Sequence, residues 1–201
     1  MIVAIDTSSA ISVAITDREA TVALARRSVF APRGHAEQLS ELVRQAMHEA
    51  EVSRRDVTAL VVGTGPAPFT GLRVGLVTAR MLAFAWGVPV WGVCSLDALG
   101  AEAGDAVVVG DARRREVYWA RYVGGERVEG PVVVSPAHAS VREGDRIIGR
   151  GAALYPEPFP GAVEADPDPL WLAREALRRR AAGEELGTEP LYLRRPDVHG
   201  A

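Results

Sequence analysis

Apolar residues dominate positions 1–5 and 11–15, with the polar turn Asp6-Thr7-Ser8-Ser9 before the second run and a third run over 21–29. Short β-branched runs broken by turn residues predict three antiparallel strands in a meander. From His35 the period changes. Leu39, Leu42, Val43, Ala46, Met47 and Ala50 recur at steps of 3, 1, 3, 1 and 3, which predicts an amphipathic helix over 35–52. A short strand over 58–62 runs into the loop Gly63-Thr64-Gly65-Pro66-Ala67-Pro68-Phe69-Thr70-Gly71. A second helix over 72–86 then stops at Gly87, with Pro89 beyond it. Strands restart at Val107 and over 117–123, and 131–169 reads as short strands cut by Pro and Gly. A last helix covers 169–182. Both halves thus read as strands, a turn and a helix, the second poorer in helix. The expected division is 1–103 and 104–201.

The helix over 72–86 has only Arg73, Thr78 and Arg80 as strongly polar residues. At 100° per residue the two arginines lie within about 20° of each other, so apolar side chains cover most of the remaining surface. Such a helix is buried on more than one side. In a half-domain of about 100 residues one face packs on the sheet, and the other predicts contact with a second helix or another chain.

The chain has 201 residues, 48% hydrophobic and 24% charged, with a net charge of −3. These are the proportions of a soluble globular protein, and without 18 uninterrupted apolar residues or a leader-like start they predict a cytoplasmic chain with no membrane span. The mild acidity argues against a protein that grips nucleic acid unaided. All 23 basic residues are arginine. Without lysine, neither a P-loop nor Schiff-base chemistry is available.

Candidate chemistry is sparse. Asp6, Thr7 and Ser8 form a strand-turn-strand device that can face a phosphate or a hydrated metal, and that also builds ordinary turns. The 63–71 loop either offers a helix N-terminus to an anion or holds two elements close together. His35, His48, His138 and His199 are scattered, without metal-ligand spacing. Cys94 reads as a buried inert thiol, and Arg113-Arg114-Arg115-Glu116 as a ligand-orienting group or a solvated hairpin corner.

The segments over 1–8, His35-Ala36-Glu37-Gln38-Leu39, the loop over 65–75, Ser95-Leu96-Asp97-Ala98-Leu99, Asp111-Ala112-Arg113 with Glu116-Val117-Tyr118, and Pro190-Leu191-Tyr192-Leu193-Arg194 together resemble the TsaB (YeaZ) family over almost the whole chain. Ala67 and Pro68 depart from the Gly and Ser usual there, stiffening the loop and weakening it as a phosphate cradle. The resemblance implies an α/β fold of the actin/Hsp70-like (ASKHA, ribonuclease H-like) type, with two half-domains and the second reduced. It also implies a non-catalytic subunit in making threonylcarbamoyladenosine beside the anticodon of tRNAs. The implied partners are the catalytic relative TsaD, as a heterodimer, and the ATPase TsaE. It further implies self-pairing of the isolated chain, and tRNA reached only through the complex. TsaD carries a His-x-x-x-His metal pair, and Ser95 and Leu99 align with its two positions. No cofactor or metal is therefore expected, while weak nucleotide binding by a vestigial site at Asp6, Thr7 and Ser8 stays open. The expected partner interface joins both helices of the first half through His35, Leu39, Leu42, Leu72, Arg73, Leu76 and Arg80. The rival expectation is a small ATP-dependent phosphotransferase of the actin-like superfamily, using Asp6 and Thr7.

Overall fold

A computed structural model describes residues 1–30 and 35–194 of the chain, and the backbone alone of His35 and Ala36. The opening meander forms as its pattern predicts: β1 (Ile2–Asp6), β2 (Ile11–Thr16) and β3 (Ala23–Val29) pair antiparallel in order. After α1 (His35–Glu49), β4 (Ala59–Gly63) joins β1 in parallel, and β5 (Val90–Val93) joins β4 after the crossover α2 (Phe69–Trp86). The sheet order is β3-β2-β1-β4-β5. Every residue of β1, β2 and β4 is buried, because both faces of the sheet are covered. On one face Leu39, Val43 and Ala46 of α1 and Leu72, Leu76, Ala79 and Ala83 of α2 pack on Val3, Ile5, Val13 and Leu60.

The second sheet follows α3 (Ser95–Ala103). It contains β6 (Ala106–Asp111), β7 (Val117–Val123), β8 (Glu126–Val134) and the two-residue β9 (Ile147–Ile148), in the order β8-β7-β6-β9. Its first three strands are antiparallel and β9 is parallel to β6. The arrangement repeats the first sheet without its fifth strand, and a single 3-10 turn at Pro136–His138 stands where α1 stands in the first half. Duplicated sheets of this order form the actin/Hsp70-like fold that was expected, with the second half reduced. After α4 (Arg150–Ala153), α5 (Pro169–Ala181) turns back, and Leu170, Leu172, Ala173 and Ala176 cover the other face of the first sheet. Asp168 caps α5 by accepting from the Leu170 N–H at 2.9 Å. The segment after α5 returns across the first half. The Gly92 N–H donates to the Leu186 carbonyl (3.2 Å) and the Leu191 N–H to the Thr64 carbonyl (2.8 Å). Among the described residues no helix is long and apolar enough to cross a membrane.

Candidate functional site

Asp6 ends β1 fully buried at the base of the groove between the two sheets. One carboxylate oxygen accepts from the Ser8 N–H (2.8 Å) and the Ser8 hydroxyl (2.6 Å), and the other accepts from the Ser95 hydroxyl (2.6 Å). Ser95 in turn accepts from the Gly65 N–H at 3.2 Å. Gly63 makes room for this pairing, since a Cβ there would run into the Asp6 carboxylate. Thr7 donates its hydroxyl to the Gly71 carbonyl at 2.9 Å, and Gly75 of α2 lies directly against the Thr7 side chain. The turn and the 63–71 loop therefore hold β1, α2 and α3 at close approach, and the Thr7, Ser8 and Ser95 hydroxyls each donate inside the protein.

Burial pushes the Asp6 carboxyl up to about 6, against the opposing pull of the Ser8 and Ser95 hydrogen bonds. An acid whose folded-state value is raised holds its proton better when folded, so its contribution falls as pH climbs from about 4 to about 6 and stays low above that. The size is roughly 3 kcal/mol for a shift of about two units. In Asp6→Asn, stability relative to the parent should therefore rise by roughly this amount between pH 4 and pH 7, read from urea midpoints. A constant difference across that range would show that the carboxylate is better solvated than its burial indicates.

Above Asp6 the groove opens into a cavity of about 470 Å³, walled by Ser8, Ser9 and Thr70 on one side and Asp111, Arg150 and Glu164 on the other. Its charges are answered locally. Arg150 reaches Asp166 twice (2.9 and 2.6 Å) and Glu164 (2.6 Å), and Ser9 donates to Asp166 at 2.6 Å. Leu99 forms apolar wall. Cys94 is buried, with its thiol pushed up to about 12 by burial. His48 ends α1 exposed and His138 pairs with Ser135, while His199 and the His35 side chain lie outside the described residues. Among the described residues no three His, Cys, Asp or Glu side chains gather as metal ligands.

The outer face of α2 is the second feature. Val77, Met81 and Phe84 are 57%, 61% and 86% exposed. Their i, i+4, i+7 spacing sets them in one stripe about 60° wide. Of the residues expected at a partner interface, Leu39, Leu72 and Leu76 need correcting. They are 0%, 0% and 3% exposed, because they form the inward stripe that packs on the sheet. Leu42 is half-buried between these faces. Arg73 and Arg80 do stand on the outer side, at the edge of the apolar stripe. The returning segment takes them up: Arg73 donates to the Tyr192 hydroxyl (2.9 Å) and Arg80 to the Thr188 hydroxyl (2.8 Å). Sequence reasoning passed over Val77, Met81 and Phe84, although their spacing from one another was visible. With apolar residues on nearly every side of α2, periodicity alone could not tell the inward stripe from the outward one.

The profile of the family described as "TsaD: tRNA N6-adenosine threonylcarbamoyltransferase" matches residues 29–159. An uncharacterized protein of Mycobacterium tuberculosis is 43% identical over 98% of this chain and 93% of its own length. The tRNA threonylcarbamoyladenosine biosynthesis protein TsaB of Escherichia coli is 31% identical over 81% of this chain and 82% of its own. Among solved structures, YeaZ from Pseudomonas aeruginosa superposes with a TM-score of 0.81 at 30% identity, covering 96% of this chain and 99% of that one.

Proposed function

Since the chain belongs to the TsaB/YeaZ family of tRNA threonylcarbamoyladenosine biosynthesis proteins, we propose that it is the non-catalytic subunit supporting a TsaD-type threonylcarbamoyltransferase. The product is threonylcarbamoyladenosine at position 37 of tRNAs reading codons that begin with A, and the ATPase TsaE completes the set.

The observation that carries this reading is the apolar stripe of Val77, Met81 and Phe84 on a helix whose other side is already packed. An apolar stripe of this kind, edged by Arg73 and Arg80, is the anatomy of a docking surface. The partner it fits is the TsaD-type subunit, through its own related half-domain, in a helix-on-helix contact. The isolated chain would close the same face against a second copy.

The groove supports the non-catalytic part. At the two positions aligned with the metal-binding histidines of TsaD, Ser95 has its hydroxyl committed to Asp6, and Leu99 offers no donor atom. That metal does not fit these residues. The phosphotransferase alternative needs Asp6 and Thr7 turned toward a nucleotide, whereas both are bonded inward.

The test is reconstitution of tRNA modification from purified TsaD-type and TsaE-type proteins, with and without this chain. Product should form only when it is present. Equal product without it would end the subunit reading.

A further inference from the structure

Arg73 and Arg80 stand on one edge of the Val77, Met81 and Phe84 stripe, two turns and about 10 Å apart along α2. The segment that returns after α5 holds both of them. Arg73 Nε donates to the Tyr192 hydroxyl (2.9 Å), and its guanidinium lies 5.5 and 5.7 Å from the ring centres of Phe69 and Tyr192. Arg80 Nε donates to the Thr188 hydroxyl (2.8 Å) and Nη2 to the Thr188 carbonyl (2.5 Å).

The returning segment is itself pinned to the first half. Besides its hydrogen bonds to Gly92 and Thr64, its Gly187 carbonyl comes so close to β5 that a Cβ on Gly92 would stand 2.1 Å from it. Glycine at 92 is what lets the two backbones meet. Thr188 and Tyr192 therefore hold the arginines from a fixed position.

Both guanidiniums keep donors in reserve. Among the described residues, neither Nη of Arg73 nor Nη1 of Arg80 makes a hydrogen bond. Glu189 lies 3.7 Å from Arg80 and is itself 85% exposed, a surface pair of little weight. Holding a long side chain in one place costs rotamer entropy, and here that cost falls on folding, before any partner arrives. A held guanidinium with open Nη atoms suits a carboxylate, which can accept two parallel N–H bonds.

We infer that the returning segment positions Arg73 and Arg80 for a partner helix that carries two carboxylates two turns apart beside its own apolar ridge. Laid along the stripe at the shallow angle of ordinary helix packing, such a helix brings positions seven residues apart opposite both arginines. The apolar ridge supplies contact area, while the charge pairs fix register and direction. The inference rests on the subunit reading above, in which the TsaD-type subunit supplies that helix.

The test titrates the TsaD-type subunit into the parent and two variants by calorimetry, at about 0.05 M and about 0.5 M salt. Arg73→Gln/Arg80→Gln removes the charges. It should weaken binding about 100-fold at the lower salt and far less at the higher. Tyr192→Phe/Thr188→Val keeps both charges but frees the side chains, and should weaken binding about 10-fold at either salt. The melting temperatures of both variants should stay close to the parent value, because no core contact is lost. Parent-like binding by the glutamine variant would overturn the carboxylate-bearing partner. So would a loss that salt does not change, which would come from the arginine stems. Parent-like binding by the hydroxyl variant would overturn the positioning role of the returning segment. The subunit reading survives each of these results, since the parent still binds; if the parent does not bind, that reading fails and this inference fails with it.

Discussion

Met81→Glu combined with Phe84→Glu abolishes co-elution with the TsaD-type subunit and leaves the melting temperature of the chain unchanged. Both side chains stand mostly in water, 61% and 86% exposed, so the free protein loses no core contact. Exposed substitutions of this kind shift stability within about 0.5 kcal/mol. In the complex the balance reverses. Each large apolar side chain that is covered contributes about 1.5–3 kcal/mol, so the pair supplies roughly 3–6 kcal/mol. That alone weakens binding about a hundred- to ten-thousand-fold. Two carboxylates driven into a closed apolar contact weaken it further. Gel filtration of the mixed proteins reads the first effect and calorimetry of the free chain the second. A variant that still co-elutes would place the interface off α2.

Leu76→Glu is the instructive contrast. By sequence Leu76 and Met81 are equivalent, two apolar residues on one apolar helix. In the fold Leu76 is 3% exposed within the α1–α2 core, and a carboxylate there would unfold the half-domain rather than detach a partner. The helix and its second, uncovered face were legible in its composition, but which residues occupy that face was not. Direction comes from the sheet, whose position relative to α2 depends on pairing β4 with β1 across some 50 residues of chain. Three strands of the first half, β1, β2 and β4, were legible for a related reason, while β5 went unread. Runs buried on both sides need no phase, so β1, β2 and β4 stand out wherever the sheet lies. α3 went unread because nine residues with Gly100 among them carry too little periodicity. Gly100 is there because the Tyr122 ring presses on it, a contact with another strand. At the candidate site the Asp6-Thr7-Ser8 turn was visible, while its inward commitment was not. Ser95 reaches Asp6 from 89 residues away.

α3 also anchors the second large effect. Asp97 is 1% exposed. It accepts from the Tyr122 hydroxyl at 2.6 Å and from the Arg179 guanidinium at 2.7 Å, with Arg127 at 3.5 Å. Arg179 also reaches Glu175 at 3.0 Å, and Arg178 joins Glu175 (2.7 Å) to Glu126 (2.8 Å). One network thus links α5, which covers the first sheet, to α3, β7 and β8, which pack together around the second. Buried ion pairs are weak evidence of net stability when whole, but removing one member is costly, because the others stay buried without it. Asp97→Ala leaves the Tyr122 hydroxyl without its acceptor and Arg179 with a carboxylate shared by Arg178. The expected loss is about 3–5 kcal/mol. At about 2–4 °C per kcal/mol for a chain of this size, that lowers the melting temperature by roughly 6–20 °C. Asp97→Asn keeps an acceptor for Tyr122 and should lose less. Because the network spans both sheets, the loss should appear as one earlier transition of the whole chain by calorimetry. If the second sheet instead melts alone while the first keeps its midpoint, the coupling lies in the apolar contacts around Gly100 and Tyr122 and not in Asp97.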